Sequence, residues 1–270
     1  MEIFYSIIAG VIQGLTEFLP ISSSGHLVIL HDFLKFDFID NLAFDVILHL
    51  GTLVALILFF WQDILKYFLA FCQSFFRWEI NSNFEQRFAW YLILANIPAA
   101  IVGFFWEDLI GTVFRQTWIV ASMLIVVGLI LYLADRYLVG QNRLSQINFK
   151  NSLIIGLAQA LALIPGVSRS GITIIAGLSQ KLNRETAARF SFLLSIPIIF
   201  AAGMKKIVDR AIERSSDFNY LVLFLGFLAS AITGYFCIKY FLRFLQNYSL
   251  RIFAYYRIIL GVVILLILLF

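Results

Sequence analysis

The sequence predicts an all-α polytopic membrane protein built as an inverted repeat, each half a re-entrant pair of half-helices followed by three transmembrane helices. Composition is the first reason: 61% of residues are hydrophobic and 13% charged, whereas a soluble domain carries about 25% charged residues. The apolar windows are the second. They reach the length of about 20 residues that a helix needs to cross a bilayer and lack the ten-residue alternation of an outer-membrane barrel. The third is a polar motif that recurs 146 residues further on.

Taken in order, residues 3–19 are apolar but interrupted by Gly10, Gln13, Gly14 and Glu17, and Pro20 ends the helix. Residues 27–38 form a second short apolar piece, so the pair reads as two half-helices meeting at a polar loop, 20–26. Full-length spans follow at 42–61, 88–106 and 117–134. After the polar connection 137–151 come an apolar run at 152–164, a loop at 165–171 and a short piece at 172–178. Spans at 186–204, 218–242 and 252–270 complete the chain. The N-terminus has no basic region and is expected to remain in the mature protein. Cys72 and Cys237 lie in apolar surroundings and read as small hydrophobes.

Self-similarity organises these elements into a first repeat, 1–140, and a second, 150–270. At an offset of 146, Gly10 falls on Gly156, Gln13 on Gln159, Leu15 on Leu161, Ser22 on Ser168, Ser24 on Ser170 and Gly25 on Gly171. If each broken region returns to its own side, a half crosses the membrane three times and the second half is inverted, with the site at the repeat interface. The side bearing both termini receives Lys35, Arg115, Lys205, Lys206, Arg210 and Arg214. The opposite side receives Lys66, Arg77, Arg87, Arg136, Arg143, Lys150, Lys181, Arg184, Lys239, Arg243 and Arg251. The positive-inside rule then places both termini outside. No basic run with interleaved aromatics appears, which excludes nucleic acid as a partner.

The two loops have similar backbones and different side chains. Glu17 and His26 face Leu163 and Ile172 in the alignment of the repeats, and Arg169 faces Ser23, so neither loop alone makes a complete site. Arg169 between Ser168 and Ser170, at a helix start, makes an anion site suited to phosphate. Gln13 and Glu17 share a helix face, where an amide and a carboxylate suit a hard divalent cation that also ligates phosphate oxygens. Among Ser22, Ser23, Ser24 and His26, Ser23 as nucleophile with His26 as base, or His26 as nucleophile with Ser23 binding oxygens, both serve phosphoryl transfer. The serines also suit capping and turn formation. Asp45 and His49 are spaced as a helical pair, and His31 reads as an interfacial residue. The charged run from Lys205 to Asp217 reads as a solvated connecting helix.

Residues 14–26 (GLTEFLPISSSGH) and 165–171 (PGVSRSG) closely resemble the two signature motifs of the bacterial undecaprenyl pyrophosphate phosphatases of the bacitracin-resistance type, and 44–52 (FDVILHLGT) resembles a third stretch. The resemblance spans nearly the whole chain. It implies hydrolysis of undecaprenyl pyrophosphate to undecaprenyl phosphate and inorganic phosphate, recycling the lipid carrier of cell-wall synthesis. It also implies a divalent cation, Mg2+ or Ca2+, an inner-membrane location and a site opening to the outer face. The family's acidic motif begins with Glu or Gln; this chain has Gln13, which leaves Glu17 as its one ionisable carboxylate. By carry-over Ser23 and His26 belong to the catalytic group, Ser24 contacts phosphate, and Ser168 with Arg169 binds the pyrophosphate. Together with the reading of the residues themselves, Glu17 and Arg169 are expected in the catalytic group, Ser22 and Ser170 among the phosphate contacts, and Glu17 with Gln13 at the metal. The expected partners are the lipid pyrophosphate and membrane lipid, and a homodimer is compatible with this pattern. An inverted-repeat secondary transporter or lipid-phosphate flippase is the rival. The other lipid-phosphatase superfamily is rejected, because no second His follows Ser168-Arg169.

Overall fold

The computed structural model describes residues 1–34, 41–106, 114–213 and 219–269. These residues form eleven α-helices and one short 3-10 turn, Leu144–Gln146. They are α1 (Glu2–Thr16), α2 (Ser23–Leu34), α3 (Asn41–Phe59), α4 (Trp61–Ser74), α5 (Phe84–Phe105), α6 (Thr117–Tyr137), α7 (Phe149–Leu161), α8 (Arg169–Ser179), α9 (Arg184–Glu213), α10 (Tyr220–Asn247) and α11 (Arg251–Leu269). Among the described residues, five helices are long and apolar enough to cross a membrane: α5, α6, the first part of α9, α10 and α11. A polytopic all-helical membrane protein is therefore what the chain forms. The expected span at 42–61 is α3, which ends at Phe59 and bends by 81° into α4.

Several boundaries differ from the sequence expectation for local reasons. The stretch 62–87 reads as a loop but contains α4, whose Trp61, Leu65, Phe68 and Leu69 are exposed while Tyr67 and Ala70 are buried. A helix apolar on its outer side is stable beside lipid, not water. The charged run after residue 204 continues α9 without a break to Glu213. Loops 20–26 and 165–171 are shorter than expected, because α2 starts at Ser23 and α8 at Arg169. The end of the predicted piece 27–38 lies outside the described residues, as do Lys35, Arg214 and Asp217 and the side chains of Lys206, Asp209, Arg210 and Glu213.

Asparagines start several helices. Asn83 accepts from Gln86 N at 3.1 Å, and Asn148 and Asn151 cap α7 reciprocally at 2.9 and 3.2 Å, each satisfying main-chain donors that a helix start leaves unpaired. Pro98 and Pro197 lie inside α5 and α9, as membrane helices tolerate when the freed backbone groups are satisfied elsewhere.

The two short helices pack in crossed fashion. α1 lies against α10, α7 lies against α5, and α6 pairs with α11. Small residues make the first two approaches possible. A Cβ added at Gly10 would stand 2.3 Å from the Gly226 carbonyl oxygen, and one at Gly156 would stand 2.2 Å from that of Ala95. Side-chain hydroxyls pin the same contacts: Ser6 Oγ donates to Val222 O at 2.5 Å and Ser152 Oγ to Tyr91 O at 2.9 Å. Within a membrane, close packing of this kind and interhelical hydrogen bonds replace the hydrophobic effect as the source of association. The result seats the ends of α1 and α7, and the polar turns that follow them, deep in protein.

Candidate active site

The turn after α1 determines where its polar groups point. Thr16 Oγ1 bonds back to Ile12 O at 2.7 Å, and Glu17 N still donates to Gln13 O at 3.0 Å, so Glu17 stays in helical register with Gln13. Pro20 then stops the helix. Ser22 takes a left-handed backbone with φ 75°, and its buried hydroxyl accepts from Gly25 N at 3.3 Å as the cap of α2. Ser168 does the same before α8, with φ 73° and an acceptance from Gly171 N at 3.1 Å. A positive φ on serine is uncommon and costs about 1–3 kcal/mol. Its double occurrence is held by the cap and by hydroxyl pairs, Ser22 with Ser24 at 3.4 Å and Ser168 with Ser170 at 3.2 Å. Ser170 Oγ also donates to Leu19 O at 3.1 Å and so stitches the second turn to the first.

Glu17, 6% exposed, is the centre. Its Oε1 accepts from Arg169 Nη2 at 2.5 Å, while Oε2 accepts from Ser23 Oγ at 2.5 Å and Gln13 Nε2 at 3.0 Å, with His49 Nε2 at 3.5 Å. Ion-assisted hydrogen bonds of this length are the strong ones. Four elements contribute: α1 with its following turn, α2, α3 and α8. Among the described residues, two buried donor or acceptor atoms beside this carboxylate remain unmatched, Gln13 Oε1 and Arg169 Nη1. A buried group without a partner is expensive, and here one is an acceptor suited to a cation and the other a donor suited to an anion.

His26 belongs to a different set of contacts. Its Nδ1 bonds Ser22 O at 2.7 Å, and since a carbonyl only accepts, that nitrogen carries the proton. Nε2 is left with a lone pair, which accepts from the Tyr256 hydroxyl at 2.8 Å, and the two rings stack with centroids 5.7 Å apart. Ser23 therefore has Glu17, not His26, as its hydrogen-bond acceptor. His26 also lines an apolar furrow with Ile12, Ile29, Leu30, Leu260, Val263, Ile264 and Ile267.

The remaining polar candidates sort differently from the sequence expectation. His49 Nδ1 bonds the Asp45 carbonyl at 2.7 Å, not its carboxylate. The Asp45 carboxylate instead pairs with His31 at 2.8 Å and Arg115 at 3.2 Å, so His31 is part of a largely buried ion-paired cluster. Gln159 repeats the burial of Gln13, but its Nε2 donates to Asn96 Oδ1 at 2.9 Å, because Leu163 stands where the first copy has Glu17. Arg257 and Tyr256 escaped the sequence reading. Arg257 was legible as a lone charge inside the apolar run 252–270, and intramembrane charges are functional candidates by default. Tyr256 gave no signal, since tyrosine is ordinary in such a helix. Nor did spacing place His49 against Glu17, because that contact crosses between α3 and the turn after α1.

Fold and site together define a polytopic helical membrane protein with a buried, ion-paired polar cluster assembled from separate helices. Residues 6–263 match the family model described as "Bacitracin resistance protein BacA". The chain is 44% identical over 272 residues to the undecaprenyl-diphosphatase of Methanosphaera stadtmanae, with 97% of each chain covered. It is 46% identical over 260 residues to that of Rubrobacter xylanophilus, with 95% of each covered, and 44% identical to that of Methanobrevibacter smithii, with 98% and 97% covered. The chain belongs to the bacitracin-resistance family.

Proposed function

We propose that this protein is an integral membrane phosphatase that hydrolyses undecaprenyl pyrophosphate to undecaprenyl phosphate and inorganic phosphate, with Ser23 as nucleophile and Glu17 as its base. The observation that carries the assignment of roles is the 2.5 Å hydrogen bond from Ser23 Oγ to Glu17 Oε2, the geometry required of a nucleophile and base. Family membership and the relatives' activity support the substrate. Ser23 Oγ bonds to the terminal phosphorus and its proton passes to Glu17. The bridging P–O bond breaks, and undecaprenyl phosphate leaves. Water then cleaves the phosphoserine and releases phosphate. Arg169 steadies the charge: Nη1, buried and unmatched, is the donor it would offer to phosphate oxygens while Nη2 still holds Glu17. Phosphoryl transfer needs mainly positioning and such charge stabilisation. Ser24 and the main-chain N–H groups opening α2 and α8 add contacts, whereas Ser22, Ser168 and Ser170 hold the turns in shape. His26, with its Nε2 lone pair accepting from Tyr256, sits at the edge of the apolar furrow and serves as a second proton acceptor near the lipid. Recycling of the carrier for peptidoglycan synthesis follows from this activity.

A divalent cation, Mg2+ or Ca2+, is part of the proposal. Gln13 Oε1, buried and unmatched, and Glu17 are the oxygens that would hold it. Bound there it supplies positive charge to the pyrophosphate. One carboxylate already engaged by Arg169 and Ser23 is a weak resident site, and among the described residues no group of three or more His, Cys, Asp or Glu side chains could hold a metal. The fit is to a cation shared with the substrate's oxygens.

We further read the architecture as an inverted repeat with the site facing outward. Ser6 and Ser152, 146 residues apart, bond Val222 and Tyr91, and Gly10 and Gly156 abut Gly226 and Ala95. Each copy's first helix thus packs on the other copy's helix in the same register. The excess of loop Lys and Arg on the side opposite the termini supports an outer location for the termini and the site.

Purified wild type should release phosphate from undecaprenyl pyrophosphate, and Ser23→Ala and Glu17→Gln should each lower kcat by about 100-fold or more. Arg169→Ala should lower kcat/KM by about 100-fold, and His26→Ala should fall less than Ser23→Ala. Lipid movement between leaflets without phosphate release would favour the flippase reading. For the cation, a chelator should abolish turnover and Mg2+ or Ca2+ restore it. Gln13→Glu should reach half-maximal rate at a several-fold lower cation concentration; an unchanged requirement would remove Gln13 from the metal's ligands. Topology can be read in cells lacking Cys72 and Cys237. An impermeant maleimide should label Glu2→Cys and spare Arg143→Cys, and the reverse pattern would invert the orientation.

A further inference from the structure

Resting on the reading above, we propose that Arg257 is the positioning residue that holds the two active-site turns in register, so that α11 is a third component of the catalytic assembly. Its side chain is fully buried, and its hydrogen-bond acceptors among the described residues are all main-chain carbonyls. Nη1 donates to Pro20 O at 3.0 Å, in the turn that carries Glu17 and Ser23. Nη2 donates to Gly166 O at 2.7 Å and Val167 O at 3.0 Å, in the turn that carries Ser168 and Arg169. Longer contacts, Nε to Leu124 O at 3.3 Å and Nη2 to Met123 O at 3.4 Å, tie the same guanidinium to α6.

The choice of residue follows from what the turns lack. Pro20, Gly166 and Val167 lie between helices, so their carbonyls have no helical ladder to join, and buried carbonyls need donors. A guanidinium offers five donors in a rigid planar fork, which an ammonium or an amide cannot reproduce. Gly166 is shaped to the same purpose: its φ is +90°, and a Cβ there would stand 2.5 Å from Val120 O. No side chain can replace it without moving the carbonyl offered to Arg257. Among the described residues, Arg257 makes no hydrogen bond or ion pair with Glu17 or Arg169. It acts on the Glu17–Arg169 distance through the backbone on either side of that pair.

The inference separates from simple structural support by its kinetic signature. Displacing a positioned group by about 1 Å costs on the order of 100-fold in rate. Arg257→Lys should therefore give monodisperse protein with wild-type KM within about threefold and kcat at least tenfold lower per folded molecule. Arg257→Gln should behave likewise. Arg251→Gln, which removes another arginine from the same helix at its Asp135 contact, should leave kcat unchanged. Folded Arg257→Lys or Arg257→Gln with kcat within twofold of wild type would overturn the proposal. Failure of both variants to fold would also overturn it, by assigning Arg257 to stability alone. Absence of turnover in the wild type would instead refute the phosphatase reading, which keeps the two claims distinct.

Discussion

The ion pair between Glu17 and Arg169 is the interaction on which the rest of this molecule depends. Both groups are largely removed from solvent, and desolvating a carboxylate and a guanidinium costs several kcal/mol per ion. Their attraction roughly offsets that cost, so the pair contributes little net stability, while loss of one partner leaves a buried charge worth about 3–5 kcal/mol of destabilisation. The surrounding features all serve the pair: the left-handed serines that turn the chain, the glycines that let α1 and α7 sink between longer helices, and the hydroxyl of Ser170 that ties the second turn to Leu19.

The two polar turns share backbone features and differ in side chains. Ser22 and Ser168 cap their helices in the same way, and Gln13 and Gln159 are both buried with one carbonyl oxygen unmatched. Where one copy has Glu17 the other has Leu163, and where one has Ser23 the other has Arg169. An arginine at position 23, whose serine hydroxyl meets the same carboxylate as Arg169, would place like charges close together in low dielectric, so a single cation facing Glu17 is the electrostatically tolerable solution.

Much of this was legible in the sequence, because periodicity and self-similarity are local properties. The all-helical membrane class, the two broken regions and most spans follow from hydropathy and from the punctuation by Gly and Pro. The polar residues of the two motifs announced themselves by their cost in an apolar chain. What was not legible depends on contacts between distant helices. Spacing pairs Ser23 with His26, three residues away on α2, yet the turn after α1 brings Glu17 to Ser23 and leaves His26 with Tyr256. Spacing pairs Asp45 with His49, yet His31 and Arg115 reach the Asp45 carboxylate first. α4 was hidden because its exposed side carries Trp61, Leu65, Phe68 and Leu69, which departs from the usual polarity of a surface helix.

The central claim is that Ser23, Glu17 and Arg169, drawn from two copies of one motif, work as a single catalytic unit. Kinetic coupling between the turns tests it most directly, since residues acting as a unit are strongly non-additive. The measurement is kcat/KM for undecaprenyl pyrophosphate in Ser23→Ala, Arg169→Ala and the double variant. The account predicts that the double variant is about as slow as the slower single variant. Multiplicative losses would contradict it, because the two turns would then act independently.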